Sequence, residues 1–349
     1  MSVFNPAHTN CTSIYRYGLA MATTALVLAP RAAFAHVKWF VEDPHSSNNE
    51  MLYGLTDTPV LIFTALAVIA IIVGYILTDY TETPQFFVDF GKRNRDYILR
   101  FVQILIGVPF VLSASQGAII ASHIQIGSYD PDWVWVVLCI LEMVAGVLLI
   151  ANIMVRYVAV LSTIMFFGLF GFFGIVPTLE YLGVLALTFY VSLLAVPESN
   201  PLFAYKAWSV QVLRIIFGVS LITLGFTEKL LNPGLARQFL STYHWNFMEY
   251  IGLTYPDDLF ILSAAIVEIT VGIFLVLGMF TRTVSLVLFA LLMTSNITFF
   301  IFADYQESLE ELLGHSLLFA SLLILIIFGR ARHGTHVLHP FKKREQSPT

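Results

Sequence analysis

Glu268 is the residue of this sequence whose type and setting most strongly suggest chemistry. It opens the apolar run "EITVGIFLVLGMFTR", which starts on a carboxylate and ends on Arg282. At ~1.5 Å per helical residue, Glu268 lies roughly 15 Å beyond Asp258, where the preceding polar loop ends. This depth is well inside the apolar layer if the span begins at Asp258, and Glu268 is shallower if the helix begins outside the membrane. A carboxylate at that depth in a membrane normally faces the bundle interior or a wet cavity and has a partner. Glu268 is therefore a candidate functional residue.

Other polar residues are expected in the same half of the membrane. Glu311 and His315 are four positions apart, so they share one face of a helix. The residues expected to support them are Glu228, Lys229 and Asn296, together with Glu142 and Glu180, the corresponding acids of the first half of the chain. Carboxylates with a histidine can bind a divalent metal, relay a proton or hold a quinone headgroup. The alternative is a polar network that only locks helix packing, with carboxylates protonated or paired to Lys229.

A separate metal site is predicted near the N-terminus. Cleavage after Ala35 would leave His36 as the first residue, and its amine and imidazole together suit copper. His45 can add a third ligand, although histidines in such a segment are often simply solvated. Cys139 is the one cysteine left after loss of Cys11 with the signal, which excludes an intramolecular dithiol relay.

The elements that position these residues are membrane-spanning helices. Hydrophobic residues make up 58% of the 349 positions and charged residues 12%, with a mean hydropathy of +0.80, which excludes a soluble domain of this size. The sequence contains nine apolar runs, and most of them reach the ~20 residues that a helix needs to cross a bilayer. They are Pro59–Thr78, Tyr97–Ile119, Trp133–Val155, Tyr157–Ile175, Leu179–Val196, Trp208–Phe226, Asp258–Phe280, Thr283–Phe302 and Leu312–Phe328. The sequence therefore predicts an all-α polytopic membrane protein whose partner is the lipid bilayer and not nucleic acid.

The N-terminus and the charge distribution predict the topology. Ala33-Phe34-Ala35 follows a short apolar run and has the form of a signal-peptidase site; an uncleaved anchor is the alternative. Lysines and arginines collect on one side of the bundle, at Lys92, Arg93, Arg95, Arg100, Arg156, Lys206, Arg282 and in the C-terminal tail. This positive-inside bias predicts a bacterial inner-membrane protein with a periplasmic mature N-terminus and a cytoplasmic C-terminus.

The two halves of the chain also match each other. "EMVAGVLLIANIMVR" aligns without a gap on "EITVGIFLVLGMFTR", which pairs Glu142 with Glu268, and "LEYLG" aligns with "EELLG", which pairs Glu180 with Glu311. Four spans per unit predict two parallel repeats. The second repeat is the better candidate site, because the first has Val184 where the second has His315. The predicted segments are a signal (1–35), a periplasmic segment (36–58), a leading helix (59–78), repeats at 97–196 and 208–328, and a basic cytoplasmic tail (329–349).

The second repeat resembles the DoxX/DoxD group of four-helix membrane proteins. The resemblance rests on "LGFTEKLLNPGLA", on an E-x-x-x-G…G-x-x-T-R pattern and on "LEELLGHSLL"; the first repeat reads "SQGA" where the second reads "TEKL". The family implies a small bacterial membrane module. Some members are linked to thiosulfate:quinone oxidoreduction and others to assemblies that handle oxidative stress.

Three functions remain open from the sequence. The first is a redox-linked protein, enzymatic or not, that binds a quinone or metal at Glu268, Glu311 and His315 and works with a partner redox subunit or periplasmic protein. The second is a metal-handling or transport protein that captures copper at His36. The third is a non-catalytic scaffold that docks partners through the aromatic-rich loop 229–257.

Overall fold

The computed structural model describes residues 51–77, 85–125, 132–243, 245–246, 248, 252–302 and 305–329. The predicted signal, the candidate metal ligands His36 and His45, and the chain from residue 330 onward lie outside these ranges.

The described chain is built almost entirely of helices, because a bilayer leaves backbone groups without water and a helix satisfies them internally. In chain order the helices are α1 (Thr58–Leu77), α2 (Gln85–Arg93), α3 (Arg95–Ser115), α4 (Asp132–Ala151), α5 (Val158–Phe173), α6 (Ile175–Glu180), α7 (Leu182–Leu194), α8 (Ser209–Leu224), α9 (Pro233–Tyr243), α10 (Asp257–Leu277), α11 (Thr281–Phe302) and α12 (Tyr305–Phe328). Six described helices are long and apolar enough to cross a membrane, and shorter apolar helices occupy Leu182–Leu194, Thr281–Ile297 and Leu312–Phe328. The all-α polytopic fold class is confirmed.

The end of α3 differs from the prediction. The helix stops at Ser115 instead of Ile119, because Gly117 turns the chain with φ 71° in the left-handed region that glycine tolerates. A two-stranded antiparallel hairpin follows, with β1 at Ala118–Ile119 and β2 at Ala121–Gln125. The predicted span had been extended through the polar stretch "SASQG" to the apolar residues of β1, so it missed the turn.

The span predicted at Leu179–Val196 begins earlier and is broken. α6 starts at Ile175 and ends at Glu180, and α7 starts at Leu182, with Tyr181 between them. At the break the Val184 N–H bonds to the carbonyl of Tyr181 instead of the carbonyl of Glu180. The Glu180 carbonyl is then available to another helix, because every buried carbonyl needs a donor.

The span predicted at Trp208–Phe226 extends further. After α8, the chain widens into a π-helical segment at Gly225–Leu231, called the π segment below. The short helix α9 follows and packs against α10 through Ala236, Leu240 and Ile261, with Leu52 against the same cluster. Part of the loop predicted to lie at the membrane interface is therefore a helix folded over the start of α10.

Two helix pairs pack through glycines. A Cβ atom at Gly107 in α3 would lie 2.8 Å from the carbonyl oxygen of Gly146 in α4, and one at Gly218 in α8 would lie 2.7 Å from that of Gly272 in α10. Membrane helices use such small residues to bring backbones together, since lipid supplies no hydrophobic force between helices. The same contact in both halves supports the duplication, which stays a prediction.

The halves meet through their last helices. α7 packs on α8, and α12 packs on α3, where the Ser316 hydroxyl oxygen lies 3.1 Å from the Leu105 carbonyl oxygen and 2.6 Å from that of Leu313 in its own helix. A cavity of about 50 Å³ lies between the halves, lined by apolar side chains from α3, α7, α8 and α12 together with Glu180, Ser220 and Ser321. Each half therefore covers part of the other.

The leading helix α1 lies outside this bundle. Its one buried residue is Gly74, where a Cβ atom would lie 3.0 Å from the Phe274 ring of α10. Most of its large apolar side chains are exposed, including Leu61, Leu66 and Ile72. In a membrane this surface faces lipid.

Candidate functional site

The π segment places three consecutive polar residues in the membrane domain. It runs GFTEKLL, so Thr227, Glu228 and Lys229 project from a wider and rarer turn than that of an α-helix. Thr227 and Glu228 are buried, and the Asn232 amide donates to the Thr227 carbonyl at 2.8 Å, which closes the end of the segment. Turns of this kind occur frequently at functional sites.

Lys229 and Glu268 form an ion pair. Nζ of Lys229 donates to Oε2 of Glu268 at 2.6 Å, and the two side chains are 17% and 21% exposed. Gly225 makes the approach of α10 feasible, because a Cβ atom there would lie 3.3 Å from the same carboxylate oxygen. The sequence had named Lys229 as one available partner of Glu268, and the geometry brings these two side chains together.

Glu180 joins the two halves of the protein. The Thr227 hydroxyl lies 2.7 Å from Oε1 of Glu180, and the Ser220 hydroxyl donates to the carbonyl oxygen that the helix break at Tyr181 releases. Glu180 is 6% exposed and also borders the cavity between the halves. A carboxyl group of the first half thus contacts the π segment of the second.

Glu142, which aligns with Glu268, has a different partner. Both of its carboxylate oxygens accept the backbone N–H of Ile120, at 3.0 and 3.2 Å, and the residue is fully buried. Ile120 has a positive φ of 58° in the hairpin turn. Glu142 therefore binds the backbone of the hairpin turn, and its predicted supporting role at the site stays a prediction.

His315 and Asn296 form a second pair. The Nδ2 amide of Asn296 lies 2.8 Å from Nδ1 of His315 and also donates to the Leu292 carbonyl at 2.8 Å. With the amide as donor, Nδ1 accepts and the imidazole proton is assigned to Nε2. Glu268 and His315 thus have different partners. Glu311 lies in α12, but its side chain is outside the described residues.

The metal hypotheses receive no geometric support from the described ranges. Within them, no group of three or more histidine, cysteine or acidic side chains is arranged to hold a metal ion. Cys139 is buried, and its thiol contacts the Ala118 carbonyl at 3.6 Å. A site at His36 and His45 stays a prediction.

Arginine side chains bind the carbonyl groups at the ends of several helices, a role that the sequence analysis did not assign; Arg282 does so at Ile326 and Ile327 of α12. Arg100 donates to the carbonyls of Leu149 and Ile150 at the end of α4, and Arg214 donates to those of Leu275 and Val276 at the end of α10. The Leu149 and Leu275 carbonyls also accept the N–H groups of Asn152 and Gly278, just past each helix, and a cation at a helix C-terminus is favourable. The signal was available, since Arg214 is a lone charge inside the apolar run "VLRII".

One known protein family matches a segment in the second half of the chain. The DoxX family model matches residues 209–303, which contain α8, the π segment, α9, α10 and α11. This segment is a DoxX domain. The resemblance carried by "TEKLLNPG" and the "E-x-x-x-G" pattern is confirmed there. The DoxX domain contains Lys229, Glu268 and Asn296, while Glu180 and His315 lie outside the matched residues. No curated protein and no solved structure matches the chain.

Proposed function

We propose that this protein binds the headgroup of a membrane quinone at the Lys229–Glu268 pair, as part of a redox-linked process. The observation that carries the proposal is this ion pair, which lies near the middle of α10 and is partly open in apolar surroundings. A charge pair so deep in a bundle is a functional-site candidate, because membranes strongly disfavour ionised side chains.

The surroundings of the pair favour a ligand that arrives from lipid. Phe226, three residues before Lys229, is 49% exposed, and Val267, next to Glu268, is 56% exposed. Apolar side chains exposed at this depth contact acyl chains. A lipid-soluble molecule with a polar head can reach the pair along this surface, whereas a hydrated ion would have to leave water first.

The side chains present suit such a headgroup. The Lys229 ammonium can donate a hydrogen bond to a quinone carbonyl, and the Glu268 carboxyl can accept one from a hydroxyl. When bound, a quinone supplies two-electron redox chemistry. The electrons would be exchanged with a partner redox subunit, and the pair would lie in the periplasmic half of the bacterial inner membrane.

A binding titration tests the proposal. The purified protein in nanodiscs is titrated with decylubiquinone, and binding is followed by quenching of tryptophan fluorescence. Lys229→Met removes the donor, and because a charge-assisted hydrogen bond contributes about 1.5–3 kcal/mol, we expect the dissociation constant to rise about tenfold or more.

Lys206→Met is the matched control. Lys206 donates to the Leu194 carbonyl near the predicted inner surface, away from the ion pair, so its removal should leave the dissociation constant unchanged. Equal affinities in the wild type and in folded Lys229→Met would overturn the proposal.

A further inference from the structure

The helix α2 lies at one end of the bundle. A Cβ atom at Gly91 would lie 2.8 Å from a methyl carbon of Ile327 and 3.3 Å from the ring of Phe328, the last two residues of α12. The centre of the Phe87 ring lies 5.9 Å from the guanidinium carbon of Arg282, in the first turn of α11. Because both contacts are made at the end of an apolar helix, α2 lies beside the bundle at the level of the membrane surface.

Three sides of α2 meet three different surroundings. Gly91 is buried on the side that packs against the bundle. Phe86 and Phe90 project about 100–140° around the helix from Gly91, where their rings stack with centres 6.0 Å apart and the residues are 69% and 42% exposed. Lys92 is exposed on the third side, about 160° around the helix from Phe90. A helix in a membrane interface has this arrangement, with large apolar side chains toward the acyl chains and a basic side toward water.

Arg93 lies where the apolar side and the basic side of α2 meet. It is exposed and lies about 60° around the helix from Phe90, in the direction of Lys92. No ion pair or side-chain hydrogen bond joins Arg93 or Lys92 to another residue within the described part of the chain. Both charges are therefore open to a ligand, and a guanidinium can hold a phosphate through two parallel N–H groups.

We propose that α2 binds an anionic phospholipid, with the phosphate at Arg93 and Lys92 and the acyl chains along Phe86 and Phe90. Charge complementarity favours this lipid class, because an anionic membrane surface attracts basic residues that lie next to it. Tyr97, in the first turn of α3, is 64% exposed, and tyrosine is enriched at membrane interfaces. The chain that follows α2 is thus also at the headgroup level. The proposal does not depend on quinone binding.

Asp89 provides a test of the electrostatic argument, because it carries the opposite charge. It is exposed one turn before Arg93, and around the helix it lies between Arg93 and Lys92. Its carboxylate repels a bound phosphate. Asp89→Asn should therefore strengthen the binding of an anionic lipid, whereas Arg93→Gln should weaken it. An attachment of α2 by its phenylalanines alone would respond to neither change.

Quenching of a tryptophan by brominated lipids measures binding at α2 itself. The Phe90→Trp variant is placed in nanodiscs that contain brominated phosphatidylglycerol or brominated phosphatidylcholine at equal mole fraction, and the wild-type emission is subtracted. A basic side chain next to an anionic surface contributes about fivefold to a binding constant, so we expect phosphatidylglycerol to bind about fivefold or more tightly than phosphatidylcholine. Adding Arg93→Gln should reduce this preference about fivefold, and adding Asp89→Asn should increase it.

Arg156→Gln is the matched control. It removes an exposed arginine outside α2, which lies over the Tyr157 ring, so the preference measured at α2 should not change. Phe86→Trp is a second reporter on the same side, in case Phe90→Trp does not fold. Equal quenching by the two lipids, or a preference that survives Arg93→Gln together with Lys92→Gln, would overturn the proposal. Quenching by neither lipid would also overturn it and would point to a protein that covers this side of α2.

Discussion

The ammonium of Lys229 lies 2.6 Å from the carboxylate of Glu268, and the two residues come from different helices of the DoxX domain. Neither charge would be stable alone at this depth, since taking one ion out of water costs several kcal/mol. The pair therefore explains why an apolar helix carries a carboxylate near its middle. The same ion pair predicts a loss of stability when either Lys229 or Glu268 is replaced by an uncharged residue.

We expect the two residues to be energetically coupled. Lys229→Met leaves the Glu268 carboxylate without its ion-pair partner, and Glu268→Gln leaves the ammonium with only the electrostatic interaction with Glu228, so each single variant should be destabilised. The double variant should lose less than the sum, with a coupling energy of about 1–3 kcal/mol. Unfolding by sodium dodecyl sulfate titration in micelles measures all three, and strict additivity would show that the contact contributes nothing.

The glycine contact between α8 and α10 should tolerate no side chain. Gly218→Ala places a methyl group 2.7 Å from the Gly272 carbonyl oxygen, so the helices must separate, at a cost of about 1–3 kcal/mol. Gly171→Ala is the matched control, because nothing lies within 4 Å of a Cβ atom there. The melting temperature in detergent should fall for the first variant alone, and an equal effect of both would contradict this packing.

Glu142 should matter for the hairpin and not for a ligand. Glu142→Ala removes the acceptor of the Ile120 N–H, and a buried unpaired N–H costs about 1–3 kcal/mol. We expect lower thermal stability with an unchanged dissociation constant for decylubiquinone in the fraction that remains folded. A weakened affinity at unchanged stability would instead assign Glu142 to the binding site.

The orientation predicted from the charges can be tested with two exposed positions. Ser241 lies in α9, on the side predicted to be periplasmic, and Glu198 lies on the side predicted to be cytoplasmic. Each is replaced by cysteine in a separate variant, Ser241→Cys or Glu198→Cys. A membrane-impermeant maleimide should label the first in intact spheroplasts and the second only after permeabilisation. Unsubstituted protein gives the background, where buried Cys139 should not react. The reverse pattern would invert the topology.

Composition and hydropathy located the apolar helices, because the bilayer imposes both their length and their apolar character, but they gave no sign of the break at Tyr181 or of the short helices α2 and α9. The leading span predicted at Pro59–Thr78 is found at Thr58–Leu77. The last span begins at Tyr305 instead of Leu312, since a helix can continue through polar residues beyond the apolar layer, where hydropathy gives no signal.

The site was predictable only in part, for a different reason. Lys229 and Glu268 stand out as charges near apolar runs, so the sequence names both. Thr227 was missed because a hydroxyl inside a membrane helix commonly bonds its own backbone, and its second contact depends on the π turn. The sequence also grouped His315 with Glu268 by depth alone; the structure gives His315 a contact with Asn296 and Glu268 one with Lys229, and their grouping in one site stays a prediction.

Photoaffinity labelling with an azido-quinone tests the central claim most directly. The protein in nanodiscs is irradiated with the probe, and labelled peptides are mapped by mass spectrometry. Binding at the Lys229–Glu268 pair predicts label within 225–231 or beside Glu268, lost on competition with decylubiquinone and in Lys229→Met, but kept in Lys206→Met. Competable label that falls only outside the DoxX domain would contradict the account.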